Sequence, residues 1–575
     1  GYLRCGQISE SFTLLEEMKQ KSLHPSARTF VALLKACSKL KDLQQAIQVH
    51  AHLSAKELDR NLFIASALVD TYAKCGALAK AQEAFDILPH RDVVVWTALI
   101  AAYVEQKRGQ EALDHFKEMQ CRGVLPNSVT YACSLKACGI IRAKDKGIEI
   151  HEEISMKGLI AKDLVLAGAI VDMYVKCGML KKAREVFNGL PIHDGISWNV
   201  LVTGYAQDGH GEEAWNCFQQ MQLEGYAPDV VTYSSCLKAC GSIKDRRKGK
   251  ELHAEILRKG LLERHTVLNN ALLDMYAKCG LLTKAQEVFD KIQVRNVVSW
   301  TALIAGYVEH DRGDDALICF EQMQSQGINP NAVTFACSLK ACSMTGSADK
   351  GIQIHAEVAR MGLLKADLIL GNTLVDMYAK CGMLTKSQEV FDCIPKHNVV
   401  SWTSLMTGYA QVGEIENVHS IFQKMRDEGS KPNPVTFVSV LNACSHVGWV
   451  DKGQTYFEAM SKAYGITPTL EHLSCMVDLL CRAGQLNLAV VMLNKTPFHP
   501  SIVMWLTVLA GCRKWGNVEL GRHAFQQVIR MDEEDDSAYL CMYNIFVDAG
   551  MDGEAQCIEA MRVRRKAHRK RRHCV

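Results

Sequence analysis

No run of 18 or more apolar residues occurs in these 575 residues, so no segment reads as a membrane-spanning helix. None of the 23 cysteines forms a C-x-x-C, which removes the usual zinc spacing. G-x-x-x-x-G-K-[ST], G-x-S-x-G and H-E-x-x-H are also missing, so no phosphate loop, nucleophile elbow or zinc-protease helix is written here. Positive charge is scarce. The net charge is +3, and residues 561–575 alone hold eight Lys/Arg and no acid, which leaves residues 1–560 at 58 basic against 63 acidic, or −5. A protein that held nucleic acid by phosphate neutralisation alone would be more basic. If this one binds nucleic acid, it must read bases. There is no initiator methionine either. The chain starts at Gly1 in mid-repeat, so any targeting peptide is expected to lie upstream.

What is present is ordinary globular composition, 48% hydrophobic and 22% charged, arranged in a long-period repeat. Trp96, Trp198, Trp300 and Trp402 stand 102 residues apart, and Trp505 follows after 103. The unit is clearest in VVSWTALIAGYVEHDRGDDALICFEQMQSQGINPN, residues 297–331. Trp300, Leu303, Ile304 and Tyr307 fall on one face of a first helix. A polar turn ending at Gly313 follows, and Ala316, Leu317, Phe320 and Met323 mark the apolar face of a second helix. Gly327 and then Pro330 stop it. Such a hairpin cannot bury its own apolar face and needs a neighbour on each side.

Each 102-residue period divides into three hairpins of 35, 36 and 31 residues, as in 297–331, 332–367 and 368–398. The division predicts fourteen complete hairpins over 27–501, a cut one over 1–26, two looser helical pairs over 502–560, and a basic tail at 561–575 without structure when free. Most cysteines recur in phase, in KAC or NAC (Cys138, Cys240, Cys342, Cys444) and in KCG (Cys75, Cys177, Cys279, Cys381). Small buried thiols at helix-packing positions account for them, and a chain this long needs no disulfide framework, which suggests a reducing compartment.

VVSWTALIAGY, VTFACSLKAC followed by GIQIHAEV, and LVDMYAKCGMLTKSQEVFD resemble the three alternating P, L and S units of plant pentatricopeptide repeat proteins of the PLS class. The resemblance covers residues 1 to about 560. The stretch 469–545, with TLEHLSCMVDLL, GCRKWGNVELG and SAYLCMYNIF, is similar to that class's last repeat pair and E-type extension.

The resemblance implies an all-α, right-handed α-solenoid of helix-turn-helix repeats that binds single-stranded RNA at one base per repeat. It implies a code in which the fifth and last residues of a unit face the base. In first-type units the pairs are Thr97 with Asn127, Asn199 with Asp229, Thr301 with Asn331, and Thr403 with Asn433. In third-type units they are Ser66 with Asp92, Gly168 with Asp194, Asn270 with Asn296, and Asn372 with Asn398. Val94, Ile196, Val298 and Val400, the second residues, would wedge between bases. Helix N-capping is the competing reading of the Asn and Asp residues. Carried over, the code gives 5′-G-A-n-n-U-n-Y-A-n-Y-A-n-n-3′ for residues 62–501. Gly168 with Asp194 is unassigned, and the second-type units are poorly specified. An edited C would lie four nucleotides beyond the last repeat base.

PLS proteins often end in a cytidine deaminase domain, whose zinc site is written H-x-E and P-C-x-x-C. The triplets His151-Glu152-Glu153, His253-Ala254-Glu255 and His355-Ala356-Glu357 recur in phase without P-C-x-x-C, and read as helix-surface positions of the repeat. The expectation is a non-catalytic factor without metal or cofactor. It would serve organellar C-to-U editing in the mitochondrion or chloroplast, and a deaminase supplied in trans would dock on 502–560. The alternatives are an organellar binder for transcript stabilisation, processing or splicing, and a helical protein scaffold without RNA. The tail RRKAHRKRRHCV departs from the family pattern, and three readings compete for it: an altered terminus, a phosphate-binding arm or a solvated tail. Its charge alone would also fit nuclear import, which the resemblance argues against.

Overall fold

The computed structural model describes residues 26–572 apart from 56–57, 59–60, 161–162, 191, 366, 496–498 and 534, and of residues 565–572 it describes the backbone only. The cut hairpin expected over 1–26 therefore lies outside the described residues, save Ser26. The described chain is all-helical: 32 α-helices and one short 3-10 helix, Leu363–Lys365. They fall in two compact units, Gly1–Gln293 and Val294–Val575.

Unit 1 holds eight helical hairpins, from Ala27–Leu40 with Leu43–Ser54 to Thr266–Lys278 with Leu282–Lys291. Unit 2 holds eight more, from Val297–Glu309 with Gly313–Ser325 to Asp536–Asp548 with Asp552–Arg572. Within each unit the first (A) helix of a hairpin packs on the A helix of the next, while the second (B) helix packs on its own A helix and on the following one. Each hairpin thus buries its apolar face against its sequence neighbours, which makes the fold an α-solenoid.

The repeat residues explain the packing. Trp96, Trp198, Trp300, Trp402 and Trp505 are all buried. In unit 1 Trp96 meets Phe85 edge-on with ring centroids 4.6 Å apart, and Trp198 meets Phe187 at 4.5 Å. In unit 2 Trp402 meets Phe391 at 4.8 Å. Each ring pins a first-type A helix to the B helix before it. Gly408 lets two A helices of unit 2 approach closely: a Cβ there would lie 2.5 Å from the Ala379 Cβ. The A helices begin at Leu62, Val93, Ser128, Leu164 and so on to Ile502, the residues at which the repeat starts each hairpin.

The basic tail differs from expectation. Its backbone continues the helix Asp552–Arg572 rather than lying without structure. Arg, Lys and Ala are good helix formers, and the segment extends a helix already anchored by buried Ala555, so no new nucleus is needed. Among the described residues no helix is long and apolar enough to cross a membrane.

Candidate nucleic-acid interface

The last residue of each paired unit sits immediately before an A helix, and all eight cap that helix. The Asn127 Oδ1 accepts from the Thr130 amide at 2.9 Å and from the Thr130 hydroxyl at 2.9 Å, while the Asn127 amide reaches back to that hydroxyl at 3.3 Å. The same capping box recurs at Asn331 with Thr334, Asn433 with Thr436, and Asp229 with Thr232, and at Asn296 and Asn398 with Ser299 and Ser401. Asp92 and Asp194 accept from the helix amides without the return bond. Capping and base reading are therefore not alternatives. The cap occupies one side-chain oxygen and fixes the rotamer; an Asn is left presenting its NH2 group and an Asp its second oxygen.

The fifth residues join this network. In unit 1 the Thr97 hydroxyl lies 2.7 Å from that of Thr130, which ties it to Asn127 through one shared hydroxyl. In unit 2 Thr301 lies 2.7 Å from Thr334, and Thr403 lies 3.1 Å from Thr436. Where the fifth residue is Asn the link is direct: the Asn199 Nδ2 donates to the Asp229 Oδ2 at 2.8 Å, and the Asn372 Nδ2 to the Asn398 Oδ1 at 3.2 Å. The Thr232 hydroxyl donates to the Asn199 Oδ1, and the Ser401 hydroxyl to the Asn372 Oδ1 at 2.6 Å.

Three pairs differ. Ser66 bonds to the Phe63 carbonyl at 3.2 Å, and Asp92 to the amides of Val94 and Val95, with no bond between them. Gly168 has no side chain to offer, and a Cβ there would meet only the Ser197 Oγ, at 3.5 Å. Asn270 belongs to unit 1, and Asn296 to unit 2.

Val94, Ile196, Val298 and Val400 are 54%, 72%, 52% and 49% exposed, unusual for aliphatic side chains beside a packed core. The same holds at the second place of the other hairpin types, which the sequence reading left out: Val129, Val231 and Val333 in second-type units, Val165, Val267 and Ile369 in third-type units. The signal was available, since each stands one residue after a helix start. The result, within each unit, is a row of exposed aliphatic side chains beside a row of oriented amides, hydroxyls and carboxylates. Such a face can stack and hydrogen-bond unpaired bases.

The H-x-E triplets are not the surface positions expected. The His151 Nδ1 lies 2.8 Å from the Tyr174 hydroxyl, His253 2.7 Å from Tyr276, and His355 2.9 Å from Tyr378. Each half-buried imidazole ties a second-type B helix to the next A helix. Burial holds all three below the ordinary histidine pKa. Glu153 accepts from Tyr131 at 2.6 Å and Lys157 at 2.8 Å, and Glu255 accepts from Tyr233 at 2.6 Å. These groups are spent on inter-helix bonds. Among the described residues no three His, Cys, Asp or Glu side chains gather as a metal would require.

Family comparisons agree with this geometry. The PPR repeat family matches residues 91–139, 193–242, 295–344 and 397–446, and a second PPR repeat family matches 165–191, 270–297, 372–399 and 435–463. The pentacotripeptide-repeat region of PRORP matches 4–95, and the E motif matches 515–573, taking in the basic tail. The mitochondrial pentatricopeptide repeat-containing protein At3g53360 of Arabidopsis thaliana is 34% identical over 552 residues, which cover 96% of this chain and 72% of the relative. The chloroplastic At1g15510 of Arabidopsis thaliana is 32% identical over 98% of this chain and 64% of its own length. The crystal structure of PPR10 in complex with an 18-nt psaJ RNA element shares the fold, with a TM-score of 0.54 at 18% identity over 98% of this chain and 88% of that one.

Proposed function

The chain belongs to the pentatricopeptide repeat family, with an E motif at its C-terminal end, and from that premise we propose that it binds single-stranded RNA sequence-specifically and marks sites for organellar C-to-U editing. The observation that carries the RNA half is the coupling of fifth and last residues. A cap that fixes each Asn or Asp while leaving one polar group free is what base discrimination needs. The solved complex of PPR10 with RNA supports the same reading, and relatives named mitochondrial or chloroplastic support an organelle.

The E motif supports editing over plain transcript binding. In this reading the chain is non-catalytic and a deaminase acts in trans. The C-terminal end also departs from the repeat in a way that suits a protein partner. In unit 2, His355, Tyr378, Lys386 and Glu389 line a cleft between a second-type B helix and the next hairpin. One period later the same places hold Phe457, Leu480, Leu488 and Val491, in an apolar cleft of about 450 Å³. Leu488 and Val491 are 49% and 44% exposed where earlier periods carry Lys and Glu.

The test is binding to RNA of the sequence G-A-n-n-U-n-Y-A-n-Y-A-n-n, followed by three nucleotides and a C, with conversion of that C scored when a cytidine deaminase of the editing class is added. Selective binding with conversion supports editing. Selective binding without conversion favours transcript protection or processing.

A further inference from the structure

Among the hairpins of residues 62–501, three of the four second-type A helices carry a lysine whose surroundings set it apart; the fourth, Pro434–Val447, has Asn442 there, and the equivalent Lys35 precedes that stretch. Lys136 is exposed although Ser134, Leu135, Ala137, Cys138 and Gly139 around it are buried. Lys238 and Lys340 stand the same way inside SCLKACG and SLKAC. Each is the ninth residue of its A helix, seven residues after Val129, Val231 or Val333. Seven residues is close to two helical turns, so lysine and exposed valine share one face, with the fifth residue between them. The face that offers bases an aliphatic surface thus also offers an ammonium group about 10 Å further along the helix.

The ninth places of the other hairpin types carry no free cation. First-type A helices have Ala101, Thr203, Ala305 and Thr407 there. Third-type A helices have Asp70, Asp172, Asp274 and Asp376, each paired one turn on with Lys74, Lys176, Lys278 or Lys380 at 2.6–2.8 Å. No ion pair forms at Lys136, Lys238 or Lys340 among the described residues. Glu105 acts with Lys136 on the Cys133 thiol, and Glu309 acts with Lys340 on Cys337, while the Asp at the ninth place of each following third-type A helix is held by its own lysine. Gln207 takes the place of Glu105 before Lys238.

We propose that Lys136, Lys238 and Lys340 grip phosphates of the bound strand, one lysine per three nucleotides, and so supply affinity that carries no sequence information. This rests on the RNA-binding reading above. An ammonium on a flexible stem suits the task, because it follows a phosphate without demanding one geometry. It also explains how a body of net charge −5 holds a polyanion: these three cations form no ion pair among the described residues and stand on the reading face.

The test is the salt dependence of binding, measured for the full chain with cognate and scrambled RNA. A single-strand phosphate contact contributes about 0.7 to the slope of log affinity against log salt. Lys238→Gln is expected to lower the slope by about 0.7, and Lys136→Gln and Lys340→Gln by less, because of Glu105 and Glu309. The triple variant should lose up to about 2 in slope, with its preference for cognate RNA unchanged and its melting midpoint kept. Lys250→Gln, exposed on the B helix Arg246–Arg258, should change nothing. An unchanged slope in the triple variant, an equal fall with Lys250→Gln, or a loss of cognate preference in the triple variant overturns the proposal. Absence of cognate preference in the wild type instead overturns the base-reading assignment on which it rests.

Discussion

The Nδ2 of Asn199 donates to the Oδ2 of Asp229 across 2.8 Å, while the other oxygen of Asp229 caps the helix Val230–Ser242. Two residues 30 positions apart in the chain thereby form one rigid edge at an A-helix tip. Asn199 keeps a second amide hydrogen and Asp229 a lone pair, so donor and acceptor stand side by side. That is the complement of a base edge carrying one acceptor and one donor.

Exchanging Asp229 for Asn replaces the oxygen that accepts from Asn199 with an NH2 and leaves the cap intact, and the Asn199 amide then turns to the capping oxygen, as Asn372 does to Asn398. Asp229→Asn is expected to melt within about 0.5 kcal/mol of the wild type, since Asn and Asp cap equally well. The preferred base at the fifth position of the target should move from U towards C. A single mismatched base costs on the order of 1–3 kcal/mol, so competition between RNAs differing only there should show about a 5- to 150-fold change.

Asn331 separates capping from reading. Asn331→Ala removes the acceptor for Thr334 and should destabilise by about 1 kcal/mol. Asn331→Asp keeps the cap and should melt like the wild type. Both should lose the preference for A beneath the hairpin 297–331, because neither presents the amide donor. Thermal melts and single-base competition, run on the same preparations, check the two effects.

Stability should fall on mild acidification through the three imidazoles facing tyrosines. Burial lowers the pKa of His151, His253 and His355 from the ordinary 6.5, so below that value the unfolded chain binds more protons than the folded one. The full contribution is present above 6.5 and is lost as pH falls from there towards the lowered folded values. Replacing all three by Gln, which can still bond to tyrosine without titrating, should shrink the drop in melting midpoint between about pH 7 and about pH 5.

Thiol labelling should divide the cysteines by phase. Burial pushes Cys138, Cys240 and Cys342 up to about 12, so almost no thiolate exists at neutral pH. Cys121, Cys393 and Cys557 are exposed. A short pulse of an alkylating reagent, read by peptide mass spectrometry, should modify the exposed three and reach the KAC cysteines only after unfolding.

Much of the fold was legible because the repeat is written in residues whose local roles are unambiguous. Trp300 at the start of one apolar face and Gly327 after another bound a hairpin without any tertiary knowledge. The candidate site offered positions in the sequence but not the connections between them. Nothing near Asn331 says that its oxygen is spent on Thr334, or that Thr301 reaches the same hydroxyl from 33 residues away. Asn and Asp at helix starts therefore looked like caps or readers, when they are caps that keep hydrogen-bonding capacity on the second side-chain atom, shared with Asn199 in the case of Asp229. His151 was misplaced for a similar reason, since its partner Tyr174 lies 23 residues on, in the next hairpin. Lys340 was hidden inside KAC, where exposure is set by packing around one residue and not by the motif.

The central claim, that oriented fifth and last residues read bases, is tested most directly by one gel-shift. The RNA G-A-n-n-U-n-Y-A-n-Y-A-n-n is set against the same strand with its assigned A and U positions transverted. Binding that is strong to the first and at least about tenfold weaker to the second is the result predicted, since one mismatch alone is worth about 1–3 kcal/mol. Equal binding to both would contradict the account, leaving the Asn and Asp residues as helix caps and nothing more.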